Sequence, residues 1–246
     1  MRYLQASGSS RLTRALGWSA LVALALNTWW GLWLSPPDVV QGQFVRMLYI
    51  HPAVATMCYA GFGVCALGSI AWLWPRLRSP RWDRLAVAGA EVGAVFCFAT
   101  LVTGSIWGRA SWGVWWTWDA RLTSTALLLL LEIGYLALRR VPADLDVRAK
   151  RCAVAALLVA VDVPIVHFSV DWWHTLHQGA TVFTENGNFL VHGSMLVTLF
   201  ISLFAFTLLF FWLLRARYRL EVRRDERYAS SLEEAIEQRR REGAVH

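Results

Sequence analysis

Charged side chains are scarce in this chain of 246 residues, of which 17% are Asp, Glu, Lys or Arg, against about 25% in an average soluble domain. Hydrophobic residues make up 57%. A soluble domain of this size cannot hide so much apolar surface, and a disordered chain would not carry it. The net charge of +7 is compatible with nucleic-acid binding by itself, so the placement of the basic residues has to decide its meaning.

The motifs of several enzyme classes are also missing. The four cysteines lie in apolar stretches and form neither CxxC nor CxxCH, so we expect no disulfide framework, thioredoxin-like centre or covalent haem attachment. The sequence contains no phosphate-binding loop, no HExxH helix and no GxSxG elbow, which excludes a P-loop ATPase and the hydrolases of those motifs. We therefore do not expect an enzyme.

Six apolar stretches are long enough to cross a bilayer, which takes about 20 residues of helix. They cover residues 15–34, 48–74, 85–107, 122–138, 152–168 and 189–214. The sequence therefore predicts an all-α, six-span helix bundle over residues 1–214, followed by a charged tail over 215–246. The first stretch ends in bulky residues, where a signal-peptidase site needs small ones, so we expect an uncleaved anchor.

Basic residues flank these spans unequally. Twenty-one of them fall at the termini and in the loops after spans two and four, and three fall on the other side, namely Arg46, Arg109 and Arg121. Because cytoplasmic loops carry the excess of Lys and Arg, we expect both termini in the cytoplasm. The loops 35–47, 108–121 and 169–188 would then face outward. The charge thus indicates membrane topology, and we expect no nucleic-acid partner.

The tail contains two helix patterns. Ser231-x-x-Glu234 is typical of a capping box at a helix start, and Glu237 and Arg241 have the spacing of an ion pair along a helix. A solvated helix and a docking surface for a partner subunit both remain open.

Five of the six histidines lie on the predicted outer side: His51, His167, His174, His177 and His192. Neutral imidazole is the commonest protein metal ligand, and pairs of imidazoles hold haem iron axially. A lone histidine near a membrane surface is usually satisfied by water or a carbonyl, whereas five on one face indicate a metal or haem site. The His174-x-x-His177 spacing alone is a weak metal motif.

Tryptophans gather on the same side, ten of fifteen in all and five between residues 107 and 118. An interfacial aromatic belt is the alternative explanation, although a belt would occupy both membrane faces. If this loop is a short helix, Trp112, Trp115, Trp116 and Asp119 share one face. Such a wall of indoles suits a large planar aromatic ligand.

Arg109 and Arg121 bracket the tryptophan loop, and a guanidinium can bind a carboxylate such as a haem propionate through two hydrogen bonds. Arg46 is a weaker third candidate. Arg121 could instead pair with Asp119, which could itself cap the fourth span.

Three carboxylates lie within the spans, and such residues are functional candidates by default. Glu91 and Glu132 could also be protonated and hydrogen-bonded between helices. Asp162, close to Pro164, could equally have a local structural role.

Two segments resemble a known family. GSIWGRASWGVWWTWDARLTS at 104–124 resembles the "WWD" loop (about 105–124) of haem-handling membrane proteins, and PIVHFSVDWWHTLHQG at 164–179 resembles the third outer loop of the heme exporter protein C family of bacterial cytochrome c maturation. The resemblance covers nearly all six spans and leaves out the N-terminal residues and the charged tail.

The resemblance implies a multi-pass protein of the bacterial inner membrane that holds b-type, non-covalent haem at the periplasmic face. It implies that His51 and His177 are the axial ligands of the haem iron. The haem platform and chaperone-contact surface would consist of Trp112, Trp115, Trp116, Trp118 and Asp119. The haem would pass to a periplasmic haem chaperone, assisted by ATP-binding cassette subunits and a small membrane subunit. At the first ligand this chain reads His51-Pro52-Ala53, whereas the family pattern is His-Val-Pro.

Two other functions are conceivable. A b-type cytochrome subunit that carries electrons would place paired histidines deep in facing spans. A transporter of a small solute would use the carboxylates within the spans and would leave the outer histidines and tryptophans unexplained.

Overall fold

A computed structural model describes residues 11–179 and 190–243. The described residues form helices and no strand, apart from one isolated bridge between Asp38 and Gly42. The first ten residues and the last three lie outside the described residues. Parts of the expected third outer loop (169–188) and of the expected sixth span (189–214) also lie outside them.

Within residues 11–179 and 190–243, seven α-helices and one 3₁₀ helix follow each other. They are α1 Arg11–Trp33, the 3₁₀ helix Gln43–Tyr49, α2 His51–Leu73, α3 Pro80–Trp112, α4 Ala120–Leu138, α5 Leu145–Ala160, α6 Asp162–Trp172 and α7 Gly193–Gly243. In the described part of the chain, six helical segments are long and apolar enough to cross a membrane. The expected all-helical, six-span architecture is confirmed.

The fifth span consists of two helices, α5 and α6, which meet at Val161. Pro164 has no backbone N–H to bond the carbonyl four residues earlier, and α5 ends at that residue, Ala160. Asp162 opens α6 and is buried. A proline break inside the membrane thus accounts for the local structural role expected of this region.

The tightest contact in the bundle joins α2 to α3 through glycines. A Cβ atom built on Gly61 would lie 2.5 Å from the Cα of Gly93, and one built on Gly89 would lie 2.8 Å from the carbonyl oxygen of Gly61. Only hydrogen fits at these positions, so the two backbones touch. Small residues serve the same purpose in other membrane bundles.

Ion pairs hold the opposite end of the bundle from the tryptophan loop. Arg139 donates two hydrogen bonds to Asp83, at 2.7 and 2.9 Å, and Arg84 lies 2.7 Å from Asp225 in α7. We call this the arginine end, where α1 and α3 begin and α2 and α4 end, and the other the tryptophan end.

The two glutamates within the spans differ. Glu91 forms an ion pair with Arg217 of α7 at 2.5 Å, and the Nε of the same arginine donates to its other carboxylate oxygen. The hydrogen bond between helices, one of the alternatives left open, is thus formed. Glu132 is 1% exposed, and its Oε1 atom has no hydrogen-bond partner among the described residues.

The charged tail continues the sixth span without a break, because α7 runs over 51 residues. Ser231 therefore lies in the interior of a helix, where its Oγ donates to the carbonyl of Tyr228 at 2.9 Å. The expected capping box is wrong, because no helix starts there. Arg241 and Glu237 do pair at 2.9 Å, as their spacing predicted.

Candidate functional site

His51 is the first residue of α2, so its position is fixed by the start of a helix. Pro52 occupies the first turn, where its missing N–H costs no hydrogen bond and its ring favours helix initiation. The imidazole lies over Gly104 of α3, where an added Cβ would come within 2.9 Å of Cε1. Glycine at position 104 therefore makes room for the ring.

Thr103 fixes the protonation pattern of His51. Its Oγ1 lies 3.1 Å from the Nδ1 of His51 and donates its own proton to the carbonyl of Ala99 at 2.7 Å. Because that proton is already used, the hydroxyl oxygen accepts from His51, and Nδ1 carries the ring hydrogen. The lone pair of His51 is then on Nε2.

His177 lies in the segment that follows α6 and has the same tautomer. Its Nδ1 is 2.8 Å from the carbonyl oxygen of Gln178, which can only accept, so Nδ1 carries the hydrogen and Nε2 the lone pair. Burial and then the positive charge of Arg121 lower the pKa of His177 below its usual value. The imidazole is therefore neutral at physiological pH, as a metal ligand must be.

The two histidines face each other across the tryptophan end. Their ring centres are 6.3 Å apart, at an interplanar angle of 44°. Imidazole nitrogens bind first-row metals at about 2.0–2.1 Å, which puts the ring centres of two ligands on opposite sides of one ion roughly 6 Å apart. The spacing and the donor set therefore fit an axial pair on haem iron.

Two tryptophans enclose this pair. Trp107 lies edge-on to His51 with ring centres 5.8 Å apart, and Trp112 lies edge-on to His177 at 6.2 Å. The Nε1 of Trp107 donates to Oε1 of Gln41 at 2.8 Å, which ties the first loop to the site. The histidines thus have an aromatic wall on both sides.

The tryptophan segment after α3 is not helical, so the shared face expected for it is wrong. Gly113 adopts a left-handed conformation with φ of 80° and ends α3. Asp119 starts α4 by accepting from the backbone N–H of Leu122 at 2.9 Å, which confirms its expected capping role. The segment between Gly113 and Asp119 is held to α3 by Ser105, whose Oγ donates to the carbonyl of Trp115 at 2.6 Å.

This irregular segment separates the expected platform residues. Trp112 contacts a histidine, whereas Trp115 and Trp118 are exposed, at 59% and 83%. Trp116 packs edge-on against Trp118 with ring centres 5.6 Å apart. The second carboxylate oxygen of Asp119 accepts from the backbone N–H of Leu176, 3.3 Å away, and so holds the segment that carries His177.

Arg121 joins α4 to α6. Its Nε donates to the Oγ of Ser169 at 3.2 Å and its Nη2 to the carbonyl of His167 at 2.5 Å. No ion pair with Asp119 occurs among the described residues, so the local pair considered as an alternative is not formed. Arg109 donates to the carbonyl of Gly113 at the end of α3.

The remaining outer histidines do not extend the pair. The ring of His167 packs against Tyr59 and Phe168, and His174 is exposed. Within residues 11–179 and 190–243, no group of three or more His, Cys, Asp or Glu side chains could hold a metal ion. The His174-x-x-His177 motif therefore does not belong to a metal cluster in this part of the chain.

Sequence reasoning missed Thr103, Gly104 and Gln41 as site residues. The first two lie more than fifty positions from His51, and nothing in their local pattern marks them. Gln41 belongs to an outer loop already assigned to the same side, but its contact with Trp107 becomes visible only in three dimensions.

These features define a class: a multi-pass helical membrane protein with a paired-histidine, tryptophan-walled site at one end. The sequence model described as heme exporter protein C matches residues 3–233. The chain belongs to the heme exporter protein C family, which handles haem in cytochrome c maturation. The match extends into the N-terminal residues and the tail, further than the motifs indicated.

Three curated relatives from bacteria, each named heme exporter protein C, match most of the chain. The protein of Haemophilus influenzae is 37% identical over 216 residues, or 88% of this chain and 87% of its own length. That of Bradyrhizobium diazoefficiens is 41% identical over 215 residues, with 86% and 80% covered. That of Escherichia coli K12 is 39% identical over 182 residues, with 70% and 72% covered.

Proposed function

We propose that this protein binds haem non-covalently between His51 and His177 and presents it, as cargo, to a periplasmic haem chaperone. The observation that carries the proposal is the facing pair of neutral imidazoles, each with its Nδ1 hydrogen-bonded and its Nε2 directed to no described partner. Metal-bound histidines usually donate their second ring N–H to such an acceptor.

The tryptophan end would face the periplasm. This orientation rests on the excess of arginine at the other end, because basic residues remain in the cytoplasm during insertion. We therefore place both termini in the cytoplasm and the haem site at the periplasmic face of the bacterial inner membrane.

The two ligands are held differently, and this asymmetry suits a protein that must release what it binds. His51 begins a transmembrane helix, whereas His177 lies in an irregular segment held by hydrogen bonds to Gln178 and, through Leu176, to Asp119. Segments with few buried contacts open at low free-energy cost. We infer that His177 is the ligand that leaves when haem is handed on.

The surrounding residues take separate roles in this proposal. Trp112 packs beside the haem, while Trp115, Trp116 and Trp118 with Asp119 form the surface that the chaperone contacts. Exposed aromatic side chains are the residues most enriched in protein interfaces.

The positive charge beside the site would come from two arginines. Next to burial, the charge of Arg121 lowers the pKa of His177, so this arginine lies within electrostatic range of the site, and we assign it and Arg109 to the haem propionates. Both guanidiniums are already anchored to backbone carbonyls, so a carboxylate would meet a pre-oriented donor.

Energy for any nucleotide-driven step must come from other subunits, because this chain has no phosphate-binding loop. We propose that ATP-binding cassette subunits and a small membrane subunit of the maturation complex supply it. The chain itself would perform ligand exchange without covalent catalysis. We do not propose an electron-carrying cytochrome, because all five described histidines lie at one end.

The test is a haem titration of the purified protein, followed by Soret absorbance. We expect a bis-histidine spectrum for the wild type, and a loss of affinity with an altered spectrum for both His51→Ala and His177→Ala. His174→Ala, in the same segment as His177, is the matched control and should bind as the wild type does. The ligand assignment is wrong if both variants keep the wild-type spectrum.

A further inference from the structure

A cleft lies at the arginine end, far from the histidines. It has a volume of about 470 Å³ and is formed by α1, α3 and α7. Its apolar wall comes from side chains of all three helices, and its polar rim carries two arginines. The cleft is lined in part by Leu16, Arg81, Trp82, Leu85, Leu214 and Arg215.

All three helices change from apolar to basic at the level of this cleft. In α7 the boundary falls between Leu214 and Arg215, and in α3 between Arg84 and Leu85. In α1 it falls between Arg14 and Leu16. The cleft therefore has an apolar floor at membrane depth and a cationic rim at the membrane surface.

At the rim, the charge of Arg81 is not paired with a carboxylate among the described residues. Asp83 is already paired with Arg139, whereas Arg81 makes no ion pair within the described ranges and lies over the ring of Trp82, 4.9 Å from its centre. The first turn of α3 adds the positive end of a 33-residue helix. Arg215 lines the same rim, oriented by a 3.0 Å hydrogen bond from its Nε to Thr13.

We propose that this cleft binds one anionic phospholipid, with an acyl chain along its apolar wall and the headgroup phosphate between Arg81 and Arg215. The apolar wall of the cleft matches an acyl chain, and its cationic rim matches an anionic headgroup. Basic pockets between transmembrane helices commonly bind acidic headgroups. Trp82, at the boundary, is the residue type enriched at the headgroup level.

Native mass spectrometry of the full-length protein in mild detergent tests this, with phosphatidylglycerol or phosphatidylcholine of identical chains added. The wild type should retain phosphatidylglycerol preferentially. Arg81→Gln should reduce its affinity about fivefold, the effect of one arginine near an anionic surface, and should leave phosphatidylcholine binding unchanged. The matched control is Arg140→Gln, which removes the same charge from an exposed site at the same end.

Three outcomes overturn the proposal: equal retention of both lipids, unchanged binding in Arg81→Gln, or an equal loss in Arg140→Gln. Displacement of the lipid by inorganic phosphate at millimolar concentration would identify a free-phosphate site and would also overturn it. Haem binding at the other end is measured separately, so failure here leaves the proposed haem function untouched.

Discussion

Replacing Thr103 with valine removes one hydrogen-bond acceptor from the proposed ligand His51 and keeps the shape of the side chain. The hydroxyl lies 3.1 Å from Nδ1 and keeps the ring hydrogen on Nδ1, so that the lone pair is on Nε2. Without it, both tautomers of the ring become accessible, and its orientation is less restricted. We therefore expect weaker haem binding, although no ligand has been removed.

The magnitude follows from the surroundings of the ring. Loss of an outer-shell partner of a metal-bound histidine usually costs 10–100-fold in affinity. The contacts of the His51 ring with Trp107 and Gly104 stay in place in the variant, so part of the restraint persists. We expect the lower limit, about tenfold, which corresponds to about 1.4 kcal/mol.

The assay is the same Soret titration with haem, extended to two further variants. Thr103→Ser keeps the hydroxyl and should restore wild-type affinity. Thr100→Val changes a threonine one turn away whose hydroxyl bonds the carbonyl of Phe96, so it should bind haem normally. Wild-type affinity in Thr103→Val, together with a loss in His51→Ala, would refute the tautomer argument and leave the ligand in place.

Two further predictions concern the framework of the site. Gly61→Ala introduces a methyl where only hydrogen fits, and overpacking of this kind costs about 1–3 kcal/mol, so the Tm of this variant should fall. Gly63→Ala places a methyl in open space on the same helix and should keep the wild-type Tm. Equal Tm values for the two variants would contradict the close approach of α2 and α3. Asp119→Ala removes the cap of α4, at a cost of about 1 kcal/mol, and releases the segment that carries the second histidine, so both Tm and haem affinity should drop. Asp119→Asn keeps one acceptor oxygen, which can still cap α4, but its amide nitrogen cannot accept from the N–H of Leu176. Its Tm should therefore stay near the wild-type value while its haem affinity drops, and an equal loss of Tm in the two variants would contradict the capping argument.

Much of the fold was predictable from the sequence because a bilayer imposes strong rules. Length and apolar character predict the spans, and two local features of the described helices were not foreseen. The fifth span splits at Val161, three residues before Pro164, and the sixth continues into the charged tail up to Gly243. Propensity favours a helix through the tail, while Ser231 and Glu234 resemble a helix start, and local signals of this strength do not interrupt a helix that is already formed.

The site was predictable only in part. His51 and His177 were identified through the resemblance to a family, and the structure places them opposite each other. The conformation of the tryptophan segment was not predictable from helical periodicity, because α3 ends at the left-handed Gly113. The hydrogen bond between Thr103 and His51 was not predictable either, since it depends on how α2 and α3 are aligned.

That alignment has a simple physical origin. In the antiparallel pair α2 and α3, Gly61 meets Gly93, and the same register brings position 51 opposite positions 103 and 104. The glycine contact lies ten residues, or about 15 Å of helix, from His51. Because backbone touches backbone there, a shift of one residue along the pair is sterically blocked, and Thr103 and Gly104 must face the imidazole. The position of the proposed haem ligand His51 is therefore determined in the middle of the membrane, by glycines that contact neither the histidine nor the haem.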